Sequence, residues 1–456
     1  MFRKIKTYFD FSLLPVIFTL AWPTMLEQLM QTAVQYVDTI MVGSLGTEAT
    51  AAVGATTTVN WLVGSTLSAF GVGFLSYIAK AYGAGDKTRA AKAASQAVLV
   101  TLAAGVFFTV VTLSVSGVIP AWMQVDETIR PLASQYFFIL YAPMLFRASS
   151  IIFGTVLRAA GDTKTPMRVG ILVNAVNVVG NFLLIYPTRT VSVKTISFTV
   201  YGAGLGVIGA ALASAASFVI GGVCIAFRLF RHAELAPTKE YLKPDKLVLR
   251  ECLKIAFPNM LQRFCTSLGY VFFASMINSL GSVSTAAHTV ANTVESAFYI
   301  PGYGMQTAAA TLTGNCIGAK DRARQQGISR MITLTEVALM IVSGGLLFLF
   351  APQLVRLFSK DEEVIELGAT VLRMVAFSEP FYGVSIITEG MLQGAGKTVR
   401  PFIFNVICMW GVRILGTFIC IHLLHLGLVS AWGCMIANNM LLLILFRIYY
   451  RKEELF

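Results

Sequence analysis

Twelve apolar stretches, each long enough to cross a bilayer at about 1.5 Å of rise per residue, run through this chain of 456 residues. Breaking the sequence at its polar interruptions places them at about 12–42, 51–80, 92–116, 131–158, 165–187, 203–230, 248–279, 284–314, 328–358, 363–392, 398–423 and 426–449. Backbone groups in hydrocarbon must find their partners within the segment, so apolar stretches of this length are read as spanning helices. Residue usage agrees, with 56% hydrophobic and 13% charged residues against roughly 25% charged in an ordinary soluble domain. The expected fold class is an all-α polytopic membrane protein whose main partner is the lipid bilayer.

A formal charge of +12 raises the question of a nucleic-acid partner, and the placement of the basic residues answers it. Loops on one side of the spans, with both chain ends, hold 25 Lys and Arg, while the alternate loops hold five: Arg130, Arg189, Lys194, Arg356 and Lys360. That asymmetry is a topology signal and puts both termini in the cytoplasm. No basic patch interleaved with aromatics supports nucleic-acid binding. The start of the chain is basic (Arg3, Lys4, Lys6), but the apolar stretch behind it runs past a signal-peptide core without a small-residue cleavage site, so a retained first span is expected. The seven cysteines show neither CxxC nor zinc-ligand spacing and read as small buried hydrophobes.

Shifting the sequence by 235 positions lays its second half on its first. Ala21-Trp22-Pro23 falls on Ala256-Phe257-Pro258, Ser44-Leu45-Gly46 on Ser279-Leu280-Gly281, Tyr82-Gly83-Ala84-Gly85-Asp86 on Ile317-Gly318-Ala319-Lys320-Asp321, and Leu157-Arg158-Ala159-Ala160-Gly161 on Leu392-Gln393-Gly394-Ala395-Gly396. The offset fails after the fifth span, where PTRTVSVKTISFTVYGAG in the first half is longer than HLLHLG in the second; the surplus is expected to be an external loop. Six spans per repeat is an even number, so both repeats enter and leave on the same side. Two six-helix bundles are therefore expected, related by a pseudo-two-fold axis along the membrane normal. Residues 1–230 form the first lobe, 231–247 a charged, proline-bearing linker, and 248–456 the second lobe.

Polar residues inside the spans carry the functional signal. Glu27, Gln31, Gln35 and Asp38 recur at steps of 4, 4 and 3 and share one face of the first helix. Such a stripe should face protein or water, because an acid at the midplane costs roughly 2.5–3.5 kcal/mol. The glutamines can simply bond neighbouring helices, whereas Asp38 can exchange a proton or meet a cation in a cavity. On span eight His288, Asn292, Glu295, Tyr299, Tyr303 and Gln306 recur at helical spacing. His288 reads as a structural hydrogen-bonder, and Glu295 as a substrate or proton site or as half of a buried ion pair with Arg413 of span eleven. Asn174, Asn177 and Asn181 line one face of span five, where amides can orient a carboxylate or ligate a small cation. Arg147, Glu379 and Glu389 lie near plausible span ends, where long side chains snorkel. The glycine-rich turns lack the spacing of a phosphate loop, and no HExxH or other catalytic metal cluster is present, so neither a nucleotide-driven pump nor an enzyme is supported.

These residues together resemble the multidrug and toxic compound extrusion (MATE) family. The resemblance rests on AWP at 21–23, VDTIMVGSLG at 37–46, AYGAGD at 81–86, VLRAAGDTKTP at 156–166, NAVNVVGNFLLI at 174–185, TAAHTVANTVESAFYIPGYGMQTAA at 285–309 and QGAGKTVRP at 393–401. It implies a secondary antiporter that exports small organic, often cationic, compounds in exchange for H⁺ or Na⁺, with no other cofactor. The match to bacterial members implies the cytoplasmic (inner) membrane, and a monomer is expected. Asp38 matches the family's ion-coupling acid, Asn177 its fifth-helix amide and Ser214 the small polar residue of span six. Asn181 stands where one bacterial branch has a second Asp, and Thr266 where another has a Glu. The expected coupling set is thus Asp38, Asn177, Asn181 and Ser214, with Na⁺ or H⁺ at Asp38 and Asn177. The expected substrate set is Glu295, Gln31, Gln35, Asn292, Tyr299 and Arg413. A flippase for a lipid-linked precursor, known in the wider superfamily, is the alternative; it would present several cations to a pyrophosphate.

Overall fold

The computed structural model describes residues 10–123, 125–193 and 196–452; Arg3, Lys4, Lys6 and Lys194 lie outside them. The main helices are α1 (Leu14–Gly43), α2 (Thr47–Gly83), α3 (Lys87–Val115), α4 (Arg130–Tyr141), α5 (Met144–Ala159), α6 (Lys164–Leu184) and α7 (Gly206–Phe230) in the first half. In the second half they are α8 (Lys246–Asn278), α9 (Ser282–Gly318), α10 (Arg322–Arg356), α11 (Glu362–Ala376), α12 (Glu379–Gly394), α13 (Val399–Leu423) and α14 (Leu428–Lys452). Eight of these are long and apolar enough to cross a bilayer, and α4 with α5, bent by 48°, makes a ninth crossing. The remaining three, α8, α9 and the α11–α12 pair, carry polar side chains within their runs, such as Gln262, Glu295 and Glu379. Twelve crossings result because each broken pair spans once.

The repeat seen in the sequence recurs in the backbone. α2 and α9 begin and end at positions related by the 235 offset, as do α5 and α12. The break between α4 and α5 at Ala142-Pro143 falls on Phe377-Ser378, the break between α11 and α12. Even the caps are copied: Asp86 accepts from the Arg89 amide and Asp321 from the Arg324 amide, each at 2.9 Å, satisfying donors that a helix start leaves free. The turn before each cap needs a left-handed residue, supplied by Gly85 (φ 72°) in one copy and by Lys320 (φ 56°) in the other. Among the described residues only the first half carries strands, β1 (Pro187–Val193) and β2 (Ile196–Ala203), an antiparallel hairpin formed by the surplus segment, which the sequence reading treats as a loop.

Each half has its own core, around Phe137, Ile152 and Leu157 in the first and Phe273, Leu347 and Trp432 in the second. A third apolar cluster joins them: Ile17, Leu20 and Ala21 of α1 pack on Met305 and Leu312 of α9, Met331 of α10 and Met391 of α12. In return, Val248 and Cys252 of α8 belong to the first core. The first helix of each repeat thus anchors its leading turns on the opposite repeat.

The lobes meet at the end that carries the basic loops, and they meet backbone to backbone. A Cβ on Gly83 would lie 2.0 Å from the Asn315 carbonyl oxygen, and one on Gly318 would lie 1.9 Å from that of Lys80. Positions 80 and 315, like 83 and 318, are related by the 235 offset, so the two contacts are mates across the pseudo-two-fold axis. Beside them Ser76 donates to the Gly394 carbonyl (2.9 Å) and its repeat mate Thr311 to the Arg158 carbonyl (3.3 Å). The half-buried Lys80 ammonium donates to the Ala395 carbonyl at 2.7 Å. The linker between α7 and α8 is strapped to α3: the Gln96 amide donates to the Tyr241 and Lys243 carbonyls and accepts from the Asp245 amide. Lys87 pairs with Glu234 and Lys92 with Asp245.

Candidate functional site

Asp38 lies near the end of α1 and faces α6. Its Oδ1 accepts a hydrogen bond from Asn181, whose amide also donates to Asn177 Oδ1 at 3.2 Å; Asn177 in turn donates to Ser214 Oγ of α7 at 3.0 Å. The spacing of 4 between the asparagines stacks both amides on one face of α6, and both are buried. Three helices thus deliver one carboxylate, two amides and a hydroxyl into one hydrogen-bonded ladder. The Asn181 Oδ1 has no partner in it, leaving one acceptor for a proton donor or a cation. All four expected coupling residues are here together.

The rest of the α1 stripe divides. Gln31 and Gln35 are exposed, while Glu27 is buried and bound by both oxygens to Arg158 of α5, at 2.7 and 2.8 Å. Glu27 therefore does not line an open cavity as the stripe implies. It closes the floor below Gln31 as an ion pair in which the single Nη2 of Arg158 bridges both carboxylate oxygens, a charge-assisted contact.

The second lobe is organised differently. Tyr299 and Tyr303 of α9 and Tyr382 of α12 pack edge to face, with Tyr299 5.7 Å from Tyr303 and 5.9 Å from Tyr382, and the Tyr303 and Tyr382 hydroxyls 3.2 Å apart. Glu295, one turn from Tyr299, is 6% exposed. Arg413 is equally buried, but the two form no ion pair in this structure. The guanidinium instead lies over the rings of Phe273 (4.1 Å) and Tyr270 (4.7 Å), which solvate a cation through their π faces. α13 is wound as a π-helix over Ile407–Ile414, a widening that is common at functional sites. Asn292 is exposed and stands apart from the tyrosines.

A scan for family resemblance matches the MatE model twice, over residues 23–183 and 258–419, with starts separated by the same 235 residues. The chain belongs to the MatE family. This MatE chain is 28% identical over 420 residues to a probable multidrug resistance protein, NorM, of Thermotoga maritima, covering 92% of this chain and 88% of that one. It is 26% identical over 443 residues to the probable multidrug resistance protein YoeA of Bacillus subtilis, covering 95% and 93%. Among solved structures it superposes on a MATE crystallised in complex with MaL6 with a TM-score of 0.88 at 25% identity, covering 95% of both chains. A Pyrococcus furiosus transporter of the MOP superfamily, described as having a binding pocket of reverse polarity, gives 0.87 at 26% identity, covering 95% and 94%. The protein is thus a polytopic MATE transporter with twelve helices in two lobes, as the motifs imply.

Several expectations change against the coordinates of this MATE protein. His288, read as a hydrogen-bonder, packs edge-on between Phe273 and Trp432, its Nδ1 unpartnered. Arg147 does not snorkel; it donates to Asn60 of α2 and lies 5.0 Å from the Phe218 ring centre. Nor do Glu379 and Glu389 sit at membrane ends. Glu379 is 1% exposed because the break between α11 and α12 puts the start of α12 in mid-span. Glu389 accepts from Gln262 (2.9 Å), Gln393 (3.0 Å) and Asn405 (3.5 Å). Glu336, a single acid in the apolar run of α10, escaped the sequence reading altogether.

Proposed function

We propose that this protein is a secondary antiporter that exports small organic cations in exchange for H⁺ or Na⁺, by alternating access between lobes 1–230 and 248–456 joined by the 231–247 linker. The ladder from Asp38 through Asn181 and Asn177 to Ser214 carries the reading. It presents a single acid and an unused amide oxygen beside the exposed Gln31 and Gln35, above a floor sealed by Glu27 and Arg158. In this reading a proton or Na⁺ loads at Asp38 while the compound leaves. The tyrosines of α9 and α12, backed by Glu295, form the aromatic and acidic wall suited to an organic cation. Multidrug resistance is named for the relatives in Thermotoga and Bacillus, which supports drug-like cargo.

In this reading the closed end, which carries the basic loops, faces the cytoplasm with both termini, and the protein acts as a monomer in the bacterial inner membrane; the charge asymmetry of the loops supports that orientation. The arrangement is then open outward, and a similar MATE solved in an outward-facing conformation superposes with a TM-score of 0.86. No chemical transformation is part of the reading; the coupling ion is cargo.

A second reading has an observation in its favour. Arg147 and Arg413 both lie inside the lobes, against Phe218 and against Phe273, and among the described residues neither is paired with an acid, where the sequence reading places one deep cation. They suit a flippase for an anionic, lipid-linked precursor. The test is efflux of a fluorescent organic cation from proteoliposomes under a proton gradient and a sodium gradient imposed separately, for wild type and Asp38→Asn. Export driven by one gradient and lost in the variant supports antiport and names the ion. Folded wild-type protein that exports under neither gradient moves the assignment to the flippase.

A further inference from the structure

Glu336 sits in the interior of the second lobe with 0% of its surface exposed, and neither carboxylate oxygen has a hydrogen-bond partner. Its seat is made of two glycines. A Cβ on Gly302 of α9 would lie 2.7 Å from Glu336 Oε1, and one on Gly383 of α12 would lie 3.1 Å from it. Met340 fills the same two approaches from the next turn of α10. Only residues without a side chain leave room for this carboxyl.

A second acid comes from α12: Glu379 lies one turn before Gly383, packs against Gly344 of α10 and has an Oε2 that is also unpartnered. Of the cations, Arg413 of α13 is stacked on the rings of Phe273 and Tyr270, and Arg263 of α8 donates to Asn259. Arg373 of α11 lies over Phe348, on a later turn of α10. Among the described residues none of these cations pairs with Glu336.

An ionised carboxylate in such a seat would forgo every donor, and a second acid nearby adds repulsion; the neutral acid avoids both penalties. A metal ion needs several converging oxygens, and among the described residues no group of three acid, histidine or cysteine side chains is placed to hold one. A proton needs one oxygen. We infer that Glu336 is a proton-carrying site of the second lobe, a neutral carboxylic acid while α9, α10 and α12 stay packed and a donor when they part. Pro301, beside Gly302, removes one helical hydrogen bond from α9 and supplies the point at which that helix can bend away. The inference goes beyond the antiport reading, which couples the ion at Asp38, and its first test involves no transport.

That test is infrared difference spectroscopy on the full-length protein in lipid, wild type minus Glu336→Gln. The expected result is loss of a carbonyl-stretch band belonging to a protonated carboxylic acid, and spectra without that difference overturn the assignment. Glu336→Met, a replacement of similar volume, keeps the test usable if the glutamine variant folds poorly. Its Tm should equal or exceed that of wild type, and a drop of several degrees would reveal an ionised, partnered carboxylate. Proton release on adding ethidium should be smaller in Glu336→Gln than in wild type; equal release would show a buried acid that carries nothing. A band lost in the variant, with no gradient-driven export by wild type, would sink antiport and support the protonated acid.

Discussion

Asp38 in the first lobe accepts a hydrogen bond from an amide that is itself held by a second amide and a serine, whereas Glu336 in the second has no donor at all. The helices that carry them belong to repeats whose boundaries, caps and mid-span breaks coincide under one offset. The duplicated backbone supplies the mechanics, two bundles that can move as mates. The chemistry lies in what the copies do not share: under the offset Asp38 falls on Phe273 and Asn177 on Val412. A charge can be held in the first lobe by the ladder; in the second, most buried acids must be neutral or leave.

The contrast is broken most directly by comparing Asp38→Asn with Glu389→Gln in the gradient-driven efflux assay. Asp38 has one side-chain donor and is free to switch, so its replacement should abolish export while expression persists. Glu389 has three donors and holds its place, so its replacement should reduce export by about tenfold to a hundredfold, the scale of one hydrogen bond to a charged group, and leave measurable export. Equal losses would erase the distinction between the lobes. Stability sharpens it next. Glu27→Ala strands the Arg158 guanidinium in the interior and should destabilise the protein by about 3–5 kcal/mol, read as a fall in Tm.

Smaller effects follow. Tyr299→Ala should weaken binding of an organic cation by about 0.5–2 kcal/mol, a few-fold to some thirtyfold in Kd, measured by fluorescence titration; unchanged affinity would take the tyrosines out of the substrate wall. Lys320→Gly gives the second repeat the left-handed residue that the first has in Gly85 and should raise stability by about 1 kcal/mol. Outside both lobes, Lys92 and the amides at Val248 and Leu247 hold the Asp245 carboxyl below its ordinary range, as Lys87 and Tyr82 do for Glu234. Both acids stabilise linker docking above the ordinary carboxylate range near pH 4, and that contribution fades as pH falls through their lower folded values. Hydrogen exchange over 231–247 should rise on acidification and should respond less in Asp245→Asn.

Much of the molecule was legible in the chain because its signals are periodic. The apolar stretches between polar interruptions marked all twelve crossings, the offset paired them into two repeats, and the steps of 3 and 4 put Asp38 on one face of span one and Asn177 and Asn181 on one face of span five, faces that meet. The breaks were not read, although Pro143 and Pro380 mark them, because each lies within a stretch of a length that crosses once. With the breaks unseen, Arg147 and Glu379 were read as residues near membrane ends. Glu336 belongs to no stripe, and a single acid in TLTEVALM becomes meaningful only beside Gly302 and Gly383. The π-helical winding around Arg413 changes which neighbours that residue meets, and no periodicity argument contains it. The hairpin did leave a trace in the β-branched TVSV and ISFTVY, outweighed by the expectation of a loop.

The mated contacts of Gly83 with Asn315 and Gly318 with Lys80 make the centre of the junction between the lobes nearly toothless, with its side-chain bonds and apolar packing set around that point. Parting such surfaces moves main chains away from main chains, so few side chains need to find new rotamers, and the journey between states is smooth rather than ratcheted. Its speed would then be set by how quickly lipid and water fill the widening gap. The same bareness makes the junction easy to jam: one methyl group at position 318 would act as a wedge, holding the molecule on one side of its cycle without touching a residue that binds anything.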